Sequence, residues 1–126
     1  MQMEDDVALR AVRGAIQIDA DDRDQILDAT TELLREVLDR NHLAPDDLIS
    51  VIFTATPDLR SEFPAYAARQ MGITDVPLLC AAEIDVPGAM PRVLRLLAHV
   101  ETDLSRHDVR HVYLRGAAQL RTDLPQ

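Results

Sequence analysis

Leu48-Ile49-Ser50-Val51-Ile52-Phe53-Thr54 is short, almost wholly apolar and followed closely by Thr56-Pro57. Its length and β-branched content mark a strand covered on both faces. The proline closes it, because the residue before a proline is pushed away from helical angles. Upstream, Pro45 punctuates a connection over 42–47. Before that, Ile26, Leu27, Thr30, Leu33, Leu34, Val37 and Leu38 recur at helical spacing, which predicts a helix from about Arg23 to Arg40. Asp22 with Gln25 resembles a capping box, and Asn41 is a plausible stop. Residues 8–18 read as a first strand, in which Gly14 marks a bulge or a close approach.

Downstream, residues 63–71 predict a short helix with Pro64 in its first turn and Gly72 at its end. Residues 76–84 read as a third strand, and Asp85-Val86-Pro87-Gly88 as a turn. The spacing of Val93, Leu96, Leu97 and Val100 predicts a second long helix over 90–101. Residues 109–117 read as a fourth strand, and 119–126 as a polar tail. The resulting order, β-α-β-α-β-α-β, predicts an α/β (α+β) fold: one domain over residues 1–126 with a mixed four-stranded sheet and helices against it.

Composition narrows the function classes. The chain has 126 residues, a net charge of −9 and a single cysteine, Cys80. Its negative charge argues against nucleic acid as a partner. No apolar run approaches the ~20 residues that span a bilayer, and the acidic start Glu4-Asp5-Asp6 is unlike a secretory signal. No membrane partner and a cytoplasmic location are therefore expected. One cysteine cannot form an intrachain disulfide. The 13 basic residues are all arginine. That excludes a Walker-A or Schiff-base lysine and leaves forked cations suited to carboxylates, although genomic base composition explains the bias equally well. His42, His99, His107 and His111 have no ligand spacing with Cys80, so no metal site is expected. A lone cysteine on an apolar strand is more often a small buried side chain than a nucleophile.

Charged residues interrupt the buried-looking segments. Arg13 lies in the first strand, Glu83 ends the run Leu78-Leu79-Cys80-Ala81-Ala82, and Arg95 stands between Leu94 and Leu96. Tyr113 and Arg115 fall in the last strand, and Arg121 follows. Each alone reads as a solvated strand edge or a structural salt bridge. Together, several arginines with one carboxylate and one tyrosine describe a pocket for a small polyanion. Spacing cannot show that they converge.

The strings VRGA (12–15), SVIFTATPDL (50–59), FPAYAAR (63–69), VPLLCAAEIDVPG (76–88) and RHVYLRGAAQLR (110–121) resemble the AroH-type monofunctional chorismate mutases, in that family's order and at its spacing. The resemblance runs from about Leu9 to Leu124. It implies a cofactor-free [3,3] rearrangement of chorismate to prephenate, within aromatic amino-acid biosynthesis. It also implies a homotrimer of pseudo α/β-barrel form with sites at the subunit interfaces. Arg95 matches the arginine at the ether oxygen, Arg13 and Tyr113 the groups on the enolpyruvyl carboxylate, and Glu83 the carboxylate at the ring hydroxyl. Cys80 matches a pocket-lining cysteine, Phe63 an aromatic wall from an adjacent subunit, and Arg69 and Arg121 arginines near the entrance, with Leu120 on the same edge. Tyr66, where relatives can carry lysine, and Leu79, where they can carry threonine, depart from the pattern. So does a tail ending five residues after Arg121. A RidA-like imine hydrolase and a non-catalytic anion-binding trimer remain as alternative readings.

Overall fold

The computed structural model describes residues 7–121. Its elements are β1 (Ala8–Gln17), α1 (Arg23–Arg40), a 3-10 turn (Pro45–Asp47), β2 (Leu48–Ala55), α2 (Ala65–Gln70), β3 (Leu78–Ala82), β4 (Val93–Thr102), β5 (Val112–Leu114) and a second 3-10 turn (Arg115–Gln119). The sheet has five strands in the order β3-β2-β4-β1-β5. β4 runs antiparallel to both β1 and β2, whereas β3 and β5 pair parallel to the strands they flank.

The helix α1 has the predicted bounds, and its caps explain them. Asp22 accepts a hydrogen bond from the Gln25 N–H at 3.0 Å. Gln25 completes the motif differently from a capping box: its Oε1 accepts from the N–H groups of Asp19 and Ala20. At the other end the buried Asn41 Nδ2 donates to Val37 O, and to Arg110 O at 2.9 Å. Its Oδ1 accepts from the Arg110 N–H at 2.7 Å. One side chain therefore both stops the helix and fixes the chain entering β5.

Both helices lie on one face of the sheet. Leu33, Leu34 and Val37 of α1 pack with Val12 and Ile16 of β1, Val51 and Phe53 of β2, and Leu94, Leu96 and Val100 of β4. Full burial of side chains of this size contributes roughly 1.5–3 kcal/mol each. Gly14 proves to be a close approach: a Cβ there would lie 3.1 Å from Leu33 Cδ1 and 3.3 Å from both Leu96 Cγ and Val37 Cγ2.

Three sequence expectations need correction. Residues 90–101 do not form a helix. Val93–Thr102 is instead the central strand, so the sheet has five strands and the order is β-α-β-α-β-β-β. The spacing 93, 96, 97, 100 suits a helix, but pairing on both edges of β4 overrides that local pattern. The last strand is only Val112–Leu114, because Arg115 adopts φ 55° and turns the chain into the 3-10 segment. Arg115 itself pairs with Glu32 of α1 at 2.9 Å and stands apart from the charged cluster. Of the polar tail, residues 122–126 lie outside the described residues.

Candidate active site

The face opposite the helices carries most of the candidate site residues. Side chains on one face of a sheet recur every second residue, so Arg13 and Ala15 of β1 share this face with Thr54 of β2, Arg95 and Leu97 of β4, and Tyr113 of β5. The register makes a row across the sheet: Ala81 pairs Thr54, Thr54 pairs Arg95, Arg95 pairs Ala15, and Ala15 pairs Tyr113. Ala15 is small and fully buried, packed with Val93, Tyr113 and Ala117.

Arg95 is held from one side by Glu83, one residue beyond β3. Its Nε lies 2.9 Å from Glu83 Oε2, while the Thr54 hydroxyl donates to that same oxygen at 2.7 Å. The short distance is a charge contact, not a hydrogen bond. The Nε hydrogen is not aligned with the carboxylate, and this buried donor meets no acceptor among the described residues. Glu83 therefore fixes the position of the guanidinium without saturating it.

The start of β4 is fixed as firmly. Thr56 and Val93 exchange contacts: the Thr56 N–H donates to Val93 O at 3.1 Å, and the Val93 N–H donates to Thr56 Oγ1 at 3.0 Å. The Asp58 carboxylate accepts from the Arg92 N–H, and the Arg92 side chain donates to Ile18 O at 3.0 Å. The TATPDL segment thus ties down the backbone just before Arg95.

On the other side, Arg13 and Arg121 join Arg95, Thr54, Ile52, Leu97 and Tyr113 around a groove of about 320 Å³. This lies near the lower end of the range for small-molecule sites. The Arg13 backbone N–H, at the edge of β1, donates to His111 Nδ1 at 3.0 Å. An accepting Nδ1 means that the neutral ring carries its proton on Nε2. Burial, and then the Arg13 and Arg121 guanidiniums, hold the His111 pKa below its ordinary value.

Four of the sequence-predicted residues, Arg13, Arg95, Tyr113 and Arg121, thus meet in one groove, and Glu83 borders it through Arg95. Leu120 packs beneath it with Ala15 and Tyr113. Three residues lie elsewhere in the chain. Cys80 faces the helix side, against the core, and lines a separate cavity with the exposed Phe63. Arg69 borders a third cavity with Ile73 and Leu78. Sequence reasoning missed the roles of Thr54 and His111. Thr54 and His111 stood within the quoted strings, but only the register shows what they touch. Among the described residues, no group of three or more His, Cys, Asp or Glu is placed to hold a metal ion, and no helix is long and apolar enough to cross a membrane.

Three comparisons bear on this arrangement. Residues 9–124 match the family model described as chorismate mutase type I. The chain is 51% identical over 117 residues to chorismate mutase AroH of Thermus thermophilus, covering 92% of this chain and 96% of that protein. It is 38% identical over 117 residues to chorismate mutase AroH of Bacillus subtilis (strain 168), covering 92% of each. Among solved structures, the chorismate mutase from Clostridium thermocellum superposes with a TM-score of 0.86 at 46% identity, covering 87% of this chain and 98% of that one.

Proposed function

The chain belongs to the type I chorismate mutase family, and from that premise we propose that it rearranges chorismate to prephenate in the groove between Arg95, Arg13 and Tyr113. The observation that carries this reading is Arg95. It is a guanidinium in the central strand, positioned by Glu83 yet left with an unsaturated donor beside the groove.

The reaction asks little of a protein beyond geometry and charge. Chorismate must be held as the chair conformer of a [3,3] shift. C–O cleavage runs ahead of C–C formation, so negative charge grows on the ether oxygen. Arg95 is the donor we assign to that oxygen, and a preorganised donor of this kind contributes about 3 kcal/mol or more in the transition state. Arg13 and Tyr113 take the enolpyruvyl carboxylate, and Glu83 takes the ring hydroxyl. No proton transfer or covalent intermediate is needed, so the reading calls for neither a cofactor nor a nucleophilic Cys80. Attraction of the dianion falls to the local arginines, because the net charge of −9 is screened beyond roughly 8–10 Å.

We further propose a homotrimer, working in the cytoplasm, whose sites are completed across subunit interfaces. The support is the location of the residues that the groove lacks. Phe63 is 69% exposed and far from saturation in its own protomer, and Arg69 is exposed. Leu9 and Leu79 on the uncovered face of the sheet are also more than half exposed. In an adjacent subunit Phe63 would wall the groove and Arg69 would guard its entrance.

The test is the disappearance of chorismate absorbance with purified protein, with prephenate identified by its acid conversion to phenylpyruvate. Light scattering should give the mass of three chains. Binding of chorismate without conversion would instead support the non-catalytic anion binder. A monomer at micromolar concentration with full activity would overturn the shared site. No observation favours an imine hydrolase.

A further inference from the structure

We propose that the cavity between β1 and residues 106–111 is a second anion site, for a small multivalent oxyanion of the phosphate type. The cavity measures about 450 Å³, and its charged lining consists of Arg10, Arg13, Arg106 and Arg121, with His111 between them. No carboxylate among the described residues lines it.

The convergence of these arginines on one cavity is what points to a ligand. Arg23 pairs with Glu62, Arg40 with Glu36, Arg95 with Glu83, and Arg115 with Glu32. The chain has 22 acidic residues available for such pairs. Arg10, Arg13 and Arg106 make no ion pair with a carboxylate among the described residues, and neither do Arg35, Arg60, Arg69, Arg92 and Arg110. What sets the first three apart is that they line one concave space, where their fields add. Arg10 is also anchored: its Nε donates to Leu104 O at 3.2 Å, which leaves the forked end of the guanidinium for the cavity. Forked donors converging from different segments suit an oxyanion with several charged oxygens. His111 completes the wall as a neutral ring, since its Nδ1 accepts from the Arg13 N–H.

This site goes beyond the proposed reaction but touches it. Arg13 and Arg121 line both the cavity and the groove. An anion that draws them toward the cavity weakens their hold on a substrate carboxylate, and the coupling is reciprocal. That coupling, unlike the site itself, rests on the reading of the groove given above.

The experiment is a calorimetric titration of the full chain with inorganic phosphate, at about pH 8 so that His111 is neutral, with ionic strength held constant by chloride. One phosphate should bind per chain. Arg106→Gln and Arg10→Gln should each weaken binding about tenfold or more. Arg106 is exposed, so its variant should remain folded. In the assay, phosphate should raise the KM for chorismate of the parent and not of Arg106→Gln, whose phosphate-free kinetics should match the parent. No uptake by the folded parent, or uptake unchanged in both variants, would overturn the site. Uptake with an unmoved KM would keep the site and overturn the coupling. Phosphate binding by a protein that leaves chorismate intact would sink the proposed reaction and not the site.

Discussion

On the helix side of β4, Leu94, Leu96, Ala98 and Val100 are 3% exposed or less. One residue along, Arg95, Leu97 and His99 stand on the opposite face and keep part of their surface. The same ten residues thus supply the centre of the core and the centre of the groove, divided by the two-residue period of a strand. The helix face is filled to the point that a single methyl at Gly14 would crowd three side chains. The groove face instead holds a buried donor that meets no acceptor among the described residues, and arginines close to one another. Substitutions on the two faces should therefore separate stability from turnover.

The sharpest break should come at Arg95. Arg95→Ala should lower turnover by about a thousandfold, as removal of a preorganised donor does, while the melting temperature moves little. Arg95→Lys keeps the charge but not the fork, and should also lose orders of magnitude. Near-normal turnover of the lysine variant would remove the reason to single out this guanidinium. Next, Leu34→Ala on the buried face should cost roughly 2–5 kcal/mol of unfolding free energy by denaturant titration. Turnover well below its melting point should be retained. Gly14→Ala should cost less, about 1–3 kcal/mol, by overpacking against Leu33, Leu96 and Val37. Although Gly14 is flanked by Arg13 and Ala15, its added methyl points to the core, so a large change in KM would show that the faces are mechanically linked.

The smallest effect should be a pH dependence at the groove edge. Burial and two guanidiniums lower the His111 pKa in the folded chain. Between that lowered value and the ordinary value of 6.5, the unfolded chain binds more protons than the folded one. This contribution to stability is complete above 6.5 and is lost as pH falls toward the folded value. Melting temperatures of the parent and of His111→Asn, compared from about pH 8 to 5, should converge as the pH drops. Parallel curves would show that the ring is not held neutral in the folded state.

Much of this architecture was legible in the residues. The stripe from Ile26 to Leu38 predicted α1, and the short apolar run at 48–54 predicted β2. β4 was not legible as a strand. Leucine and alanine are good helix formers, and Val93 and Leu97 are apolar on the groove side, which hides the alternation. The candidate site residues stood out as charges in apolar company, and four of them share one groove, although the element carrying Arg95 was misread. What one dimension could not supply was the register that sets Arg95 between Ala15 and Thr54. Nor could it supply the use of His111 as a stand-in for a strand neighbour at Arg13. Both depend on pairing between segments far apart in the chain.

The placement of β4 also governs when the molecule can come into being. β1 and β2 are not neighbours, and each pairs with β4. A nascent chain that ends before residue 93 holds two strand pieces, β1 and β2–β3, with no seam between them. The seam arrives only as Val93–Thr102 leaves the ribosome, and it must thread between segments made long before. Closing such distant pairings is slow. Until then the apolar faces of β1 and β2 are exposed, so the interval before β4 emerges is the period of greatest hazard for this chain in the cell.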